Sequence, residues 1–190
     1  NEAIVLGVAN ETEGKITSNP NDYSAITRTK KNFKWDEHTQ ILLFDYDYIE
    51  GMNKINSPEE YRDLLISIDS RFKDAQMLIV PSSSSSIYNT NDELVLDSKG
   101  LHCYVAVTNT ENIKTWIDNL FNKCWELGLG VIKFSKDGKQ LLRTIFDKSV
   151  FSPERLVFEA KPTLHQELHR HIVEPLLVDG GVIDIGNITP

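Results

Sequence analysis

The chain has 190 residues, of which 40% are hydrophobic, and this length suits one globular domain with a sizeable core. Its formal net charge of −8 argues against a protein that coats duplex nucleic acid, because such binding depends on neutralising many phosphates. The sequence has no apolar run of about eighteen residues and no basic-then-apolar leader, so we predict a soluble, cytoplasmic protein with no membrane contact.

The first part of the chain is predicted to be a short strand followed by a long polar loop. Residues 3–9, AIVLGVA, form the strand, and residues 10–39 form the loop. The loop contains a basic cluster that offers either contacts to a nucleic-acid backbone or a solvated face: Arg28, Lys30, Lys31 and Lys34.

A buried strand and a capped helix follow. Residues 40–48, QILLFDYDY, open with consecutive apolar residues, a pattern typical of a central strand that is buried on both faces. Ser57 is placed as a helix cap, Pro58 lies in the first helical position, and Glu60 is placed to return the capping bond. This helix is expected to run to about Ser70.

The middle of the chain supplies two more strands and the clearest helix. Residues 77–80 form a short buried strand that leads into a serine run at 81–86, and residues 101–107 alternate as a strand does. Apolar residues recur at helical spacing from about residue 111 to 127, and Gly128 suits the left-handed position that ends a helix.

The two cysteines are predicted to be reduced packing residues. Cys103 and Cys124 have no metal-type spacing, and Cys124 lies on the apolar side of the predicted helix.

Three further strands are predicted at residues 130–134, 143–147 and 155–160, with a turn at 136–138. The order of the elements indicates an α+β or mixed α/β fold in a single domain.

The last part of the chain, from about residue 161 to 190, is predicted to link this domain to a further region of a longer protein. The sequence HQELHRH at 165–171 is predicted to be a polar helix or loop. Its glutamate is third rather than second, so the H-E-x-x-H zinc pattern is not met.

The sequence FDYDY places two carboxylates close together. Side chains two residues apart on a strand share a face, so Asp45 and Asp47 project together, whereas Phe44, Tyr46 and Tyr48 project to the other side. Carboxylates held about 6 to 7 Å apart repel each other unless cations lie between them, and oxygen ligands suit Mg²⁺ or Mn²⁺. The alternative is a pair of exposed acids that begins a turn.

Two other polar residues accompany apolar strands in the same way. Asp147 ends the stretch LLRTIFD and offers a third carboxylate. His102 lies on a strand just after Gly100, where a phosphate can approach closely. Its imidazole either donates to a phosphate oxygen or is a satisfied core residue.

The segments FDYDY, GLHCYV and FDKSVFSPERLVFEA together resemble the archaeo-eukaryotic primase superfamily. The three motifs of that family are hydrophobic-D-x-D/E, then S-x-H or G-x-H, then hydrophobic-D. The order matches, and the separations of 55 residues from Asp47 to His102 and 45 from His102 to Asp147 suit the family.

The third segment carries the most specific part of the resemblance, which covers residues 41–160. Members of this group often follow the third aspartate with V-Y/F and then an arginine eight residues on, and Val150, Phe151 and Arg155 fill those positions. The segment also resembles primase domains of bacterial mobile elements and phages.

The resemblance implies a primase-polymerase catalytic core, in which an RRM-like antiparallel or mixed sheet is flanked by helices. It implies that Asp45, Asp47 and Asp147 are catalytic and bind two Mg²⁺ or Mn²⁺ ions. It further implies that His102 contacts the phosphates of the incoming nucleotide and that Arg155 assists the triphosphate or the template.

The chain departs from the family pattern at two positions. Gly100 replaces the serine of S-x-H, so one hydroxyl is missing from the nucleotide site. The candidates to supply it are Ser98 or the serine loop at 82–86, of which Ser84 and Ser85 are assigned to the nucleotide site. Phe158 stands where the family often has a further arginine.

Other charged residues are assigned to the site with an alternative for each. Arg143 is a candidate to contact the nucleotide or to pair with an acid at the sheet edge, and Glu159 is interpreted as the structural partner of an arginine or as a catalytic group. The candidates for contact with the template are Lys30, Lys31 and Lys34, together with Lys133, Lys136 and Lys139.

The predicted activity is template-directed nucleotidyl transfer by a DNA primase or polymerase, with single-stranded DNA, an NTP or dNTP and a helicase in cis or trans as partners. Three alternatives stay open. They are a D-x-D nucleotide-sugar glycosyltransferase, a metal-dependent phosphodiesterase, and an inactive primase-like module that docks a helicase or binds an origin. A glycosyltransferase would need a nucleotide-binding domain before the D-x-D motif, but only about forty residues precede Asp45.

Overall fold

A computed structural model of the chain describes residues 3–10, 14–19, 21–52, 54–96, 100–159, 162–171 and 174–186. Within these residues the protein has a mixed α+β architecture, with two α-helices and many short, mostly antiparallel strands. The helices are α1 (Pro58–Ile68) and α2 (Ile113–Glu126).

The strands fall into three groups along the chain. Those before α1 are β1 (Ile4–Val5), β2 (Val8–Ala9), β3 (Ile16–Thr17), β4 (Ile26–Thr27), β5 (Phe33–Lys34) and β6 (Thr39–Tyr46). Those between the helices are β7 (Met77–Pro81), β8 (Ile87–Asn89), β9 (Leu94–Leu96) and β10 (Leu101–Thr108). Those after α2 are β11 (Gly130–Phe134), β12 (Gln140–Thr144), β13 (Leu156–Val157), β14 (Leu168–Arg170), β15 (Leu176–Val178) and β16 (Ile183–Asp184).

The central sheet has five strands, and β10 is the middle one. Strand β6 runs antiparallel along the whole of β10. On the opposite side, β7 pairs with the first part of β10, β15 extends the sheet beyond β7, and β16 pairs in parallel with the end of β10. The predicted central position of residues 40–48 is therefore wrong, because β6 pairs with β10 alone among the described strands.

The predicted burial of both faces of β6 is confirmed in part, because Ile41 on the second face is 51% exposed. The side chains of one face are fully buried against the helices in the main core: Leu42, Phe44 and Tyr46. On the other face, Leu43 forms a smaller cluster with Val150 and Val157. Because side chains alternate along a strand, Asp45 and His102 lie on this second face, away from the helices.

Helix α1 begins where the sequence predicts. The Ser57 hydroxyl oxygen accepts a hydrogen bond from the backbone N–H of Glu60 at 3.2 Å. Glu60 accepts in return from the backbone N–H of Asn56 at 2.8 Å, one residue earlier than in the usual capping box. The helix ends at Ile68, close to the predicted end.

Helix α2 is also confirmed, with Ile113 as its first residue. Trp116 is 1% exposed and its indole N–H donates to Asp69 at 2.8 Å, so the helix is fixed to the segment that follows α1. Gly128 has φ of +70°, as predicted for the residue that ends a helix.

The predicted strand at residues 3–9 is divided in two at Gly7. A Cβ atom at Gly7 would lie 2.5 Å from atoms of Pro153, so only glycine allows this close approach. The Gly7 N–H donates to the Pro153 carbonyl at 3.1 Å. Strand β1 then pairs with β13 and β2 pairs with β5, so the break directs the chain to two different partners.

Residues 165–184 contribute to the fold. The prediction of a polar helix or loop at 165–171 is wrong, because β14 lies there and pairs with β8. Strands β15 and β16, in the segment predicted to link the domain to a further region, pair with β7 and β10 in the central sheet. These strands are only two or three residues long, which is why no periodicity marks them in the sequence.

Cys103 and Cys124 are free and buried, and burial raises the pKa of both thiols, as expected of packing residues. In the part of the chain that the structure describes, neither helix combines the length and the apolar character that crossing a membrane requires.

Candidate active site

The end of β6 and the start of β10 form a polar centre. Asp45 and His102 are directly opposite each other in the antiparallel pair, and Nε2 of His102 lies 3.4 Å from Oδ1 of Asp45. Both side chains are largely buried, at 20% and 14% exposed. The first two motifs of the sequence therefore meet at one point of the sheet.

A backbone hydrogen bond holds Asp147 beside Asp45. Its N–H donates to the carbonyl oxygen of Asp45 at 2.8 Å, on the edge of β6 that faces away from β10. The third motif is thus fixed beside the first, although 102 residues (147 − 45) separate these two aspartates.

The local structure of Asp147 differs from the prediction. It was expected to end a strand at 143–147, but β12 ends at Thr144. Ile145 and Phe146 are buried in the main core, so the chain leaves the hairpin there. Asp147 instead caps a short 3₁₀ turn, in which its carboxylate accepts from the Ser149 N–H at 2.9 Å.

Asp47 lies one residue beyond the end of β6 and is exposed. It faces Gly100, since a Cβ atom on Gly100 would be 3.2 Å from Oδ1 of Asp47. Tyr48 does not continue the alternation expected of a strand, because β6 has already ended, and it is 41% exposed.

Burial opposes the ionisation of Asp45, and the charges around this residue act in both directions. Burial and, more weakly, the negative charges of Asp47 and Asp147 raise the pKa of Asp45 to about 6, and the positive charges of His102 and Arg155 only partly offset this. All three carboxylates, the histidine and Arg155 are therefore close enough to interact.

We expect Asp45→Asn to raise the free energy of unfolding at pH 7 by about 1 to 3 kcal/mol, because each pKa unit corresponds to about 1.4 kcal/mol. The pKa of Asp45 rises from 3.8 to about 6 on folding, so the folded protein binds this proton more tightly than the unfolded chain. Stability of the wild type should therefore fall as the pH rises from about 4 to about 6. Chemical denaturation across this pH range measures the difference between the two proteins.

The matched control for this measurement is Asp36→Asn, at the start of the same strand. The pKa of Asp36 is lowered by backbone hydrogen bonds, so its charge does not destabilise the folded protein. An Asp45→Asn protein that is less stable than wild type at pH 7 would contradict the raised pKa of Asp45.

His102 is held from its other side by a second acid. Its Nδ1 is hydrogen-bonded to Glu159, and the Tyr104 hydroxyl donates to the same carboxylate oxygen. Burial alone would lower the pKa of His102, but the bond to Glu159 and the charges of Glu159 and Asp45 outweigh it and raise the pKa. The charged imidazolium is therefore favoured between two carboxylates.

Glu159 does not act as the partner of an arginine in the way the sequence suggested. Its hydrogen bonds come from His102 and Tyr104, and these outweigh burial and lower its pKa. Arg170 acts on Glu159 through its charge. Tyr104 was missed, although it lies two residues after His102 and so shares its face of β10.

The serine run forms a loop against Gly100. The Ser82 N–H donates to the Gly100 carbonyl at 2.9 Å, and the Ser85 hydroxyl donates to the same oxygen at 3.4 Å. A Cβ atom on Gly100 would be 2.8 Å from the Ser82 hydroxyl oxygen, which lies 3.1 Å from that of Ser84. The Ser82 hydroxyl thus takes the space of a side chain at position 100; Ser98 lies outside the described residues.

Arg170 fixes this loop and was not found from the sequence. Its guanidinium donates to the carbonyl oxygens of Pro81, Ser82 and Ser85 at 3.3, 2.8 and 3.1 Å. The one available signal was the alternation of His169, Arg170 and His171, which is compatible with a strand.

A cavity of about 440 Å³ opens beside the aspartates. Its walls carry both acidic and basic side chains together with apolar ones: Asp47, Tyr48, Ile49, Lys133, Leu141, Arg143, Thr144, Phe146 and Asp147. Nη1 of Arg143 lies 3.2 Å from Oδ1 of Asp147. The volume falls within the range of small-molecule sites, about 300 to 1,000 Å³.

The predicted lysine cluster lies elsewhere. Lys30 lines a second cavity of about 450 Å³, whose described lining shares no residue with the first. Lys34 forms an ion pair with Glu37 at 2.7 Å, and Lys31 is exposed. Of the predicted template lysines that the structure describes, Lys133 is the one that lines the cavity beside the aspartates.

The oxygen donors of Asp45, Asp47 and Asp147 suit Mg²⁺ or Mn²⁺, which prefer carboxylates. The three carboxylates are close enough to interact through their charges, but their oxygen atoms do not all lie within 4.8 Å of one another. Among the described residues, the group of three whose donor atoms all lie within 4.8 Å of one another is a different one, Asp92 with His169 and His171.

No protein-family model, curated protein or solved structure matches this chain. Function is therefore inferred from the side chains of the site and from the motifs they belong to.

Proposed function

We propose that this domain catalyses metal-dependent, template-directed nucleotidyl transfer, as the DNA primase-polymerase of a phage, plasmid or other mobile element. The observation that carries the proposal is the meeting of three distant motifs at one end of β6. Asp45 is paired with His102, its carbonyl accepts the N–H of Asp147, and Asp47 lies beside Gly100.

The connections of the central sheet support the primase-polymerase assignment. Among the elements of the central sheet and its helices, β6, α1, β7, β10 and α2 come in this order, and β10 lies between β6 and β7. Strands β8 and β9, between β7 and β10 in the chain, belong to a separate sheet. This order of strand, helix, two strands and helix agrees with an RRM-like core. Strand β16 departs from it, because it pairs with β10 rather than with β6.

Asp45, Asp47 and Asp147 would hold Mg²⁺ or Mn²⁺. Their fit to such a cation is supported by the electrostatics, since Asp47 and Asp147 raise the pKa of Asp45 and a positive charge would relieve that repulsion. When bound, two such ions stabilise the negative charge on the attacking and leaving oxygens of phosphoryl transfer.

The remaining residues bind and orient the nucleotide. His102, kept cationic by Asp45 and Glu159, donates to a phosphate oxygen, and Gly100 lets the phosphates approach the backbone. Arg143 and Lys133 bring positive charge to the cavity wall, while Tyr48 and Leu141 offer apolar surface to a base or sugar. Arg155 adds its charge near Asp45, and the Ser82 hydroxyl is placed to replace the missing serine.

A nucleotide-sugar glycosyltransferase also uses a D-x-D motif to hold a divalent cation, and sugar transfer in the assay below distinguishes it. A phosphodiesterase shares the metal chemistry and is distinguished by the assay below.

The test is extension on a single-stranded template with labelled NTP or dNTP and Mn²⁺ or Mg²⁺. Wild-type protein should make template-length products, whereas Asp45→Ala combined with Asp47→Ala should lower incorporation by a factor on the order of 10³. The control is Asp63→Asn, an exposed aspartate on helix α1, on the opposite side of the sheet. Phosphodiester cleavage or sugar transfer by wild type, without extension, would overturn the proposal.

A further inference from the structure

Three metal-binding side chains meet at the edge of a small sheet outside the proposed active site. The sheet consists of β14, β8 and β9. His169 and His171 come from β14 and the residue after it, and Asp92 comes from the turn between β8 and β9. Two residues apart on an extended segment, both imidazoles project from the same face.

The donor atoms of these side chains converge closely. Nε2 of His169 lies 2.9 Å from Oδ1 of Asp92 and 3.3 Å from Nε2 of His171. Nε2 of His171 lies 3.5 Å from the same oxygen of Asp92. Each Nε2 can donate a proton to Asp92, but if both nitrogens are protonated the contact between His169 and His171 has no acceptor. One cation at the centre would instead be bound by all three atoms.

The separations fit a tetrahedral metal site. Ligand atoms about 2.0 to 2.1 Å from a tetrahedral zinc ion lie about 3.3 to 3.4 Å from one another. Two of the three separations, 3.3 and 3.5 Å, are close to this value, and the third, 2.9 Å, requires only a small opening.

The residues around the cluster hold it in place. The ring of Tyr88 stacks on His171 with centroids 4.0 Å apart and lies 6.0 Å from that of His169. The turn that carries Asp92 is closed by Asn89, whose side-chain oxygen accepts from the N–H groups of Asn91 and Glu93, each at 2.9 Å. Asp92 adopts a left-handed conformation, with φ of +60°, which aspartate tolerates.

We propose that Asp92, His169 and His171 bind one divalent transition-metal ion of the zinc class. Two imidazoles and one carboxylate select such ions over Mg²⁺, which prefers oxygen ligands alone. The side chains are 43% (His169), 50% (His171) and 74% (Asp92) exposed, so a water molecule can complete the coordination.

The ion would crosslink the end of β14 to the turn between β8 and β9. Arg170 lies between the two histidines and holds the carbonyl oxygens of Pro81, Ser82 and Ser85. A metal ion bound by His169 and His171 would therefore also help to fix the serine loop beside Gly100. The site itself uses none of the three proposed catalytic aspartates.

The test is titration of the purified protein with Zn²⁺ by calorimetry, and with Co²⁺ by its visible absorption. With excess Mg²⁺ present to occupy the carboxylate site, one ion per chain should bind, with a tetrahedral Co²⁺ spectrum. His169→Gln and His171→Gln should each weaken Zn²⁺ affinity by at least about tenfold, since even outer-shell partners of a metal site contribute that much. The matched control is His165→Gln, an exposed histidine of the same segment outside the cluster.

A second protein separates this proposal from the proposed polymerase activity. Asp45→Ala, Asp47→Ala and Asp147→Asn together remove the catalytic carboxylates, and Zn²⁺ affinity should change by no more than about twofold, as for independent sites. Circular dichroism verifies that each variant is folded. Absence of Zn²⁺ binding by folded wild type, or wild-type Zn²⁺ affinity in either histidine variant, would overturn the metal site whatever the result with nucleotides.

Discussion

Asp147→Asn is expected to lower the rate of nucleotide incorporation by a factor on the order of 10² to 10³, the usual effect of removing one electrostatic stabiliser from an active site. Asparagine keeps both structural roles of this residue. Its backbone N–H still donates to the Asp45 carbonyl, and its side-chain oxygen can still accept from the Ser149 N–H. The negative charge and its ion pair with Arg143 are lost, so the fall in rate measures their combined effect.

Single-turnover extension assays with Mn²⁺ give the rate, and Asp36→Asn is the control. The Asp36 carboxylate also accepts backbone N–H bonds, from His38 and Thr39, at the opposite end of β6. That substitution should leave the rate within about twofold of wild type, because distant sites act independently. Wild-type rates for Asp147→Asn would remove Asp147 from the catalytic group.

Phe44→Ala is expected to lower the free energy of unfolding by about 3 to 5 kcal/mol, the range found for aromatic residues truncated in a core. Phe44 is fully buried, and its ring makes edge contacts with four other aromatic rings, with centroids 5.0 to 5.9 Å away: Phe72, Trp116, Phe146 and Phe151. A domain of this size is stable by about 5 to 15 kcal/mol, so much of the margin would be lost.

The effect should extend to the active site. Phe44 precedes Asp45 in β6, and Phe146 precedes Asp147. Because the two rings are in contact, one aromatic cluster fixes the backbone next to both aspartates. Urea denaturation followed by tryptophan fluorescence measures the loss. Leu177→Ala, at a side chain that is 64% exposed on β15, should change stability by about 0.5 kcal/mol or less. Similar losses in the two variants would contradict the core described here.

The elements with strong local signals were predicted well from the sequence. Helix α2 has apolar residues at helical spacing over most of its length, and helix α1 has a serine cap followed by proline. Strand β10 alternates between buried and partly buried residues throughout. These signals lie within one element, so neighbouring residues are sufficient to reveal them.

Elements that depend on distant partners were not predicted. Strand β14 is polar, and β15 and β16 have three and two residues, too few for any periodicity. Each exists because a strand from another part of the chain offers it an edge: β8 for β14, β7 for β15 and β10 for β16. Tertiary pairing overrides local preference at such places.

The candidate site also contains residues that the sequence predicts and contacts that it does not. The motif residues Asp45, His102 and Asp147 were found because their types and spacing resemble a family pattern. The bonds from His102 to Glu159, and from Arg170 to the serine loop, join residues 57 and 85 to 89 positions apart. No pattern in a single sequence identifies partners so far apart.

The hydrogen bond from the Asp147 N–H to the Asp45 carbonyl also has a consequence for biosynthesis. Strand β6 leaves the ribosome before Asp147 does, so Asp45 and Asp47 lack the third carboxylate until Asp147 has been synthesised. A nascent chain that stops before Phe146 cannot carry the complete acidic group. Closing so long a loop costs little extra free energy, since each doubling of length adds only about 0.6 kcal/mol, but such distant contacts form slowly. The completed acidic group should therefore appear among the last events on the folding pathway.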